Sequence, residues 1–125
     1  MGITRIEDII KEMSSTISGY IACALVGLDG LNVASHAIPN ATDPEAISAQ
    51  LTSLLKVVDV SVEKMGVGII EDNLVTTENA FILMRFLPGR QYYLSIAADR
   101  NAGNLGKLRM ITKLYADRLS KEMLS

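Results

Sequence analysis

The chain has few of the side chains on which most enzyme chemistry depends. It contains one histidine, one cysteine and no tryptophan in 125 residues. A nucleophile needs a neighbouring base, and a common zinc site needs several Cys and His ligands. His36 and Cys23 each stand alone in strand-like segments, where a strand-end residue and a buried thiol are the simpler interpretations. We therefore expect no catalytic residue, no metal site and no cofactor, and hence a protein that is not an enzyme.

Charged residues are also few, which limits the kinds of molecule that the protein is expected to bind. Charged residues make up 21% of the chain, the net charge is −2, and lysines and arginines form no cluster interleaved with aromatics. Nucleic-acid binding depends on such a basic surface. A single cysteine excludes an internal disulfide and suits a reducing compartment. Glu7 and Asp8 lie where a secretory signal would be basic or apolar. We expect a cytoplasmic protein that neither binds nucleic acid nor inserts into a membrane.

Two glycine-rich passages share part of the pattern of nucleotide-binding loops. Gly66-Val67-Gly68 precedes a strand instead of following one, so it is better interpreted as a helix stop. The segment 103–107 does lie between a predicted strand and a predicted helix. However, Asn101 replaces the first glycine of a phosphate loop, and Leu108 replaces its magnesium-binding Ser or Thr. A turn that starts a helix is the better interpretation.

Hydrophobic residues make up 49% of the chain, and their spacing predicts eight elements in the order α-β-β-α-β-β-β-α. Asp29-Gly30 predicts a hairpin between the first two strands. The pattern indicates a single domain, residues 1–125, of the α/β (α+β) class, with an antiparallel five-stranded sheet and helices on both faces. The predicted elements are helices at 4–16, 43–65 and 105–124, and strands at 20–28, 31–38, 67–76, 80–87 and 91–98.

The central predicted helix has more apolar surface than one buried stripe requires. It starts with Asp43-Pro44-Glu45, which supplies a cap, a first-turn proline and an acid at the positive end of the helix dipole. The stripe predicted to face the core consists of Ile47, Leu51, Leu54, Leu55, Val58, Val62 and Met65. A second flank, predicted to contact another polypeptide, consists of Ala46, Ala49, Ser53, Val57 and Val60.

The polarity of the third strand predicts that this strand lies at an edge of the sheet. Asp117 and Lys121, four residues apart, predict an ion pair on the last helix.

Three stretches carry a resemblance to a known family. They are Ser18-Gly19-Tyr20 followed by 24–35, the helix 46–66, and the approach to the last helix at 101–109. In this order and length they resemble the dynein light-chain roadblock family, which includes the bacterial gliding-motility partners of small Ras-like GTPases. The resemblance covers nearly the whole chain. It departs at Gly103, which is an extra residue in the last of these turns.

The resemblance implies a profilin-like fold with sheet order 2-1-5-4-3, one helix on one face and two on the other. It also implies a homodimer, in which the third strands pair into one ten-stranded sheet and the central helices lie side by side. The helix-bearing face would bind a small Ras-like GTPase and modulate its nucleotide cycle or location. The expected dimer residues are Ala46, Ala49, Ser53, Val57, Val60, Ile70, Asp72 and Leu74. The expected partner-binding residues are Glu45, Gln50, Lys56, Asp59 and Glu63.

No catalytic residue is shared across the family, so none is assigned here. Arg85, Arg90, Arg100 and Arg109 are interpreted as strand, turn or helix-end residues instead of arginine fingers. Two alternatives stay open. One is a structural module of a motor, cytoskeletal or signalling assembly that does not affect nucleotide hydrolysis. The other is a small-molecule sensor or enzyme on a profilin-like sheet, which would need a concave pocket with convergent polar groups.

Overall fold

A computed structural model describes residues 3–124 of the chain. The element order agrees with the prediction, and the strands form one antiparallel sheet in the order β2-β1-β5-β4-β3. The elements are α1 (Ile3–Ser15), β1 (Tyr20–Gly27), β2 (Asn32–Ala37), α2 (Pro44–Met65), β3 (Asn73–Thr76), β4 (Ala80–Phe86), β5 (Tyr92–Asp99) and α3 (Leu105–Leu124).

The core has two halves, one on each face of the sheet. On one face α1 and α3 cover Cys23 and Leu25 of β1, and on the other α2 covers Ala24 and Val26. A strand whose two alternating sets are both apolar must be covered on both sides. The prediction of helices on both faces is therefore confirmed, with two helices on one side and one on the other.

Polar contacts join α1 to α3 at their solvent side. Glu12 accepts a hydrogen bond from Tyr115 Oη at 2.6 Å and another from Arg118. Hydrogen bonding to Arg118 is the main reason that the pKa of Glu12 lies below its ordinary value, because it stabilises the carboxylate. Burial is the main cause that raises the pKa of Tyr115, and the hydrogen bond to the Glu12 carboxylate is the second cause. Arg5 and Glu122 lie 3.5 Å apart in a further ion pair between these helices.

The third strand is shorter than predicted. Its ladder with β4 begins at Asn73, opposite Met84, so the prediction of a strand from residue 67 is wrong for 67–72. Gly68 has φ 100°, which is not an extended conformation, and it interrupts the run that the apolar residues suggested. Beyond it, Asp72 is bound by Arg109 of α3 at 3.1 Å. The segment 67–72 therefore leads from α2 to the sheet without joining it.

Candidate interaction surface

Both ends of α2 are fixed by local signals. Asp43 Oδ1 accepts a hydrogen bond from the Glu45 amide at 3.0 Å, and Pro44 occupies the first turn. At the other end Gly66 adopts φ 67°, and its amide donates to the Glu63 carbonyl at 3.1 Å. A side chain would strain that left-handed conformation, which explains glycine at this position. The predicted start and stop of the helix are confirmed.

The rotation of α2 about its axis differs from the prediction. Its fully buried residues are Pro44, Ser48, Thr52 and Leu55. Leu51, Val58 and Val62 are partly buried, in agreement with the predicted inner stripe. Ile47, Leu54 and Met65 were also predicted to face the core, and this is wrong because all three are exposed. The helix is turned so that two small hydroxyl residues face the sheet and larger apolar ones face outward.

A buried hydrogen-bond network explains this rotation. Tyr93 of β5 places its hydroxyl 2.8 Å from Thr52 Oγ1 and 3.3 Å from the Ser48 carbonyl. Thr52 Oγ1 also donates to the Ser48 carbonyl at 2.7 Å, and Ser48 Oγ donates to the Pro44 carbonyl. Polar groups that are satisfied in this way can be buried at little cost. Burial raises the pKa of Tyr93, which keeps the phenol protonated. Apolar periodicity could not reveal the network, although a tyrosine in a buried strand signals a need for a polar partner.

The outward side of α2 is apolar over most of its length. We call it the α2 outer face and define it by nine exposed residues: Ala46, Ile47, Ala49, Ser53, Leu54, Val57, Val60, Ser61 and Met65. Val57 is 65% exposed and Val60 is 51% exposed. All five predicted dimer residues of the helix thus lie at the surface, together with three larger apolar side chains that were assigned to the core. Gln50 and Lys64 are exposed on the same side of the helix, so the face is mainly apolar with these two larger polar side chains among its residues, as is typical of protein–protein contacts.

The apolar surface continues past the end of α2 to the edge of the sheet. Val67 and Ile69 are exposed, the latter to 76%, and β3 has no neighbour on its outer side within the described sheet. Of the other predicted dimer residues, Ile70 and Leu74 pack partly against the two core halves. The Asp72 carboxylate is bound by Arg109.

The predicted partner-binding residues separate into two groups. Glu45, Gln50, Lys56 and Glu63 are exposed on α2. Asp59 instead forms an ion pair with Arg90 at 2.6 Å, and the Arg90 guanidinium lies 4.0 Å from the ring centroid of Phe86. This contact attaches α2 to the β4–β5 hairpin. Asp59 therefore has a structural role within the chain, whereas the other four side chains remain accessible.

Cys23 and His36, the two reactive side chains of the sequence, lie next to each other and pack within the sheet together with Tyr20. Cys23 pairs with His36 across β1 and β2, and Tyr20 Oη lies 2.9 Å from His36 Nδ1 while donating to the His36 carbonyl. Burial raises the pKa of Cys23 to about 11, so the thiol stays protonated at neutral pH. Among residues 3–124, no three His, Cys, Asp or Glu side chains are grouped so that they could bind a metal ion.

The turn before α3 is filled by the chain itself. Asn104 Oδ1 caps the helix by accepting from the Lys107 amide at 3.0 Å. A Cβ on Gly103 would lie 2.9 Å from the Asp99 carbonyl, so close packing explains that glycine. The void beside this turn has a volume of about 10 Å³, which is room for one water molecule and not for a nucleotide. The interpretation as a helix-start turn agrees with this geometry.

Most of the arginines considered as arginine fingers are engaged within the chain. Arg90 and Arg109 form the ion pairs with Asp59 and Asp72, and Arg100 donates to the Thr77 carbonyl at 3.2 Å. Arginine fingers work by entering a partner's active site, which an arginine held in this way does not do without breaking its contacts.

A half-open groove of about 380 Å³ lies between the first half of α2 and the sheet. Small side chains, Ala22, Ala24 and Ala97, form its floor, and Ile47 and Leu51 form a wall. The polar residues along it, including Ser95, carry no charge. A sensor or enzyme site needs convergent polar groups, and this groove offers few.

None of the helices that the structure describes is both long and apolar enough to cross a lipid bilayer.

Comparison with known proteins identifies the fold. No family model matches the chain. An uncharacterized protein of Methanocaldococcus jannaschii is 26% identical over 114 residues, which cover 91% of this chain and 96% of that protein. A Roadblock/LC7 domain from Streptomyces avermitilis superposes with a TM-score of 0.82 at 15% identity, over 95% of this chain and 98% of that one. The gliding protein MglB of Thermus thermophilus superposes with a TM-score of 0.80 at 16% identity, over 96% and 91% of the two chains. The chain therefore has the fold of the Roadblock/LC7 domains.

Proposed function

We propose that the protein is a non-catalytic homodimer that binds a small Ras-like GTPase and regulates its nucleotide cycle or its location. The observation that carries this proposal is the continuity of the α2 outer face with the unpaired edge of β3. One apolar surface and one open strand edge, connected by the segment 67–72 with its exposed Val67 and Ile69, suit a second copy of the same chain. The sequence resemblance and the Roadblock/LC7 fold support the same assignment.

In the proposed dimer two β3 strands pair edge to edge, and the two α2 helices lie next to each other. A stable interface of this kind buries on the order of 1,200–2,000 Å² in total. Val57, Val60 and Ile69 supply apolar area at its centre, and the charged side of α2 stays at its rim.

Three of the exposed charged residues of α2 form the surface that we propose for the GTPase. Glu45, Lys56 and Glu63 lie beside the α2 outer face, on the same side of the helix as one another. Charges at the rim of an interface chiefly set orientation and association rate.

The test uses the Ras-like GTPases encoded in the same genome, each purified and loaded with a fluorescent nucleotide. We expect one of them to bind the dimer and to change its rate of nucleotide release or hydrolysis. Charge reversal by Lys56→Glu together with Glu63→Lys should weaken binding about tenfold. Lys11→Glu on α1, on the other face of the sheet, is the matched control and should have no effect.

Two results would decide against parts of the proposal. Binding with no change in either rate would favour the structural-module alternative over a regulator of the nucleotide cycle. Failure of every GTPase to bind, with the dimer intact, would refute the GTPase partner while leaving the homodimer in place.

A further inference from the structure

A second apolar surface lies on α3, on the opposite face of the sheet from α2. Met110 is 64% exposed and Leu114 is 57% exposed, one helical turn apart. The inner side of the same helix is buried, with Leu119 and Ala116 inaccessible to solvent. The outward position of Met110 and Leu114 therefore does not result from a loosely packed helix.

The charged residues around these two side chains have one dominant sign. Lys107, Lys113 and Lys121 are exposed, and among the described residues none of the three forms an ion pair. The acid on this side of the helix is Asp117. The predicted pair between Asp117 and Lys121 is not formed in the described chain, so that prediction is wrong. The long lysine side chain loses rotamer entropy when it is fixed at an exposed pair, and little is gained in return.

The arginines of α3, in contrast, are used within the chain. Arg109 binds Asp72 beside the sheet edge, and Arg118 binds Glu12 of α1 while its guanidinium lies 4.9 Å from the Tyr115 ring centroid. The helix thus separates its cations into those that stabilise the fold and those that surround Met110 and Leu114. In a chain of net charge −2, this is a local excess of positive charge.

We propose that the outer side of α3, formed by Lys107, Met110, Lys113, Leu114 and Lys121, binds an acidic amphipathic helix of another protein. Two apolar side chains at i and i+4 fit the apolar stripe of such a helix. The three lysines can contact carboxylates on its flanks and suppress binding of basic segments. Because α3 and α2 lie on opposite faces of the sheet, this contact is compatible with the homodimer.

A lipid surface is the weaker match for these residues. Recognition of anionic membranes from sequence rests on about four to eight clustered lysines or arginines. Here three lysines share the surface with an aspartate, and the apolar part consists of two side chains. A partner that presents both an apolar stripe and acidic flanks uses all the features of this surface.

The experiment uses the ¹⁵N-labelled full chain and three synthetic helical peptides of equal length. The first has a leucine stripe with glutamate flanks, the second has the same stripe with lysine flanks, and the third has glutamate flanks with alanine in place of leucine. We expect the first peptide alone to shift the amide resonances of α3, and to bind about tenfold more weakly when salt is raised from about 50 to about 500 mM.

The variants test both halves of the surface. Lys107→Gln, Lys113→Gln and Lys121→Gln together should weaken binding of the first peptide about tenfold, and Met110→Ser with Leu114→Ser should do the same. All five positions are exposed, so the fold should be retained, which the dispersion of the same spectra checks. Lys11→Gln on α1 is the control for charge and should leave the affinity unchanged.

Several results would overturn the proposal. They are equal binding of the glutamate and lysine peptides, a footprint outside α3, and wild-type affinity of the lysine-free variant. Sedimentation with phosphatidylglycerol vesicles that is lost in the lysine-free variant, without peptide binding, would assign the surface to lipid instead. A change in oligomeric mass on Met110→Ser with Leu114→Ser would assign it to a second copy of the chain.

Discussion

The most direct test of the proposed dimer is an arginine on the α2 outer face. Val57 is 65% exposed in the protomer, so about two thirds of its surface is available for burial by a second copy. Full burial of a valine is worth about 1.5–3 kcal/mol, which gives about 1–2 kcal/mol per copy here. Because a twofold interface uses the residue twice, Val57→Arg removes about 2–4 kcal/mol of apolar contact.

The introduced charge adds to this loss. Two guanidinium groups are brought together at the interface without acidic partners, and leaving a charge buried and unpaired costs several kcal/mol. A total near 4 kcal/mol is a conservative expectation, and it raises the dissociation constant of the dimer about a thousandfold. Val60→Arg, on the same face, should act in the same way.

The assay is sedimentation velocity over a concentration series, with urea unfolding of each variant measured in parallel. We expect Val57→Arg to sediment as a monomer at concentrations where the wild type is a dimer. Since Val57 is exposed in the protomer, the free energy of unfolding of the monomer should change by no more than about 0.5 kcal/mol. Met110→Arg is the matched control, because Met110 is 64% exposed on the other face of the sheet. Dimerisation of Val57→Arg with wild-type affinity would refute the use of this face.

Other predictions concern the contacts that hold the fold. Tyr93→Phe should lower the free energy of unfolding by about 1 kcal/mol in urea titrations, because it removes the hydroxyl shared with Thr52; an unchanged midpoint would show that the network adds nothing. Gly66→Ala should cost about 1 kcal/mol in the same assay, since alanine is strained at φ 67°, whereas unaltered stability would contradict a left-handed helix end. Glu12→Gln should lower the melting temperature near pH 7 and have a smaller effect near pH 3, as followed by circular dichroism. The folded-state pKa of Glu12 lies below its ordinary 4.5, so its stabilisation is complete above that value and is lost as pH falls through the folded-state pKa. An effect of equal size at both pH values would refute the ionic basis of this contact.

Element order followed from signals that are local in the sequence, whereas the sheet order was implied by the family resemblance. The doubly apolar run of β1 required cover on both faces, and the structure places α1 and α3 on one side and α2 on the other. Asp43 and Pro44 fixed where α2 begins, and Gly66 fixed where it ends. Signals of this kind act within one turn or one hairpin, so they can be recognised without knowing what the segment packs against.

The errors arose where distant residues decide the local structure. Ser48 and Thr52 face the core because Tyr93, about forty residues later, supplies the hydroxyl that satisfies them. Likewise Asp72 is drawn to Arg109 of α3 instead of continuing a strand. Periodicity assigns residues to the core by polarity alone, and it fails when a polar side chain is buried with its partner.

The same reasoning applies to the candidate surface. The second flank of α2 was assigned from small and apolar residues that lack charge, and all five lie at the surface of the protomer. Their role in dimerisation stays a prediction, as does the role of the charged residues toward a GTPase. The contribution of Ile47, Leu54 and Met65 to this surface could not be predicted, because it depends on the angle at which α2 is set on the sheet.

The angle at which α2 is set on the sheet connects the buried hydrogen-bond network to the choice of residues that are exposed. Four residues advance about 400° around an α-helix, so Lys56 lies about 40° from Val60, and a rotation of α2 by that angle would exchange lysine for valine on the side that faces outward. The hydroxyl of Tyr93 opposes such a rotation from beneath the helix, through its contacts with Thr52 and with the Ser48 carbonyl. A substitution at this buried site can therefore alter partner choice while leaving each surface residue in place, and surface residues alone do not determine what this domain recognises.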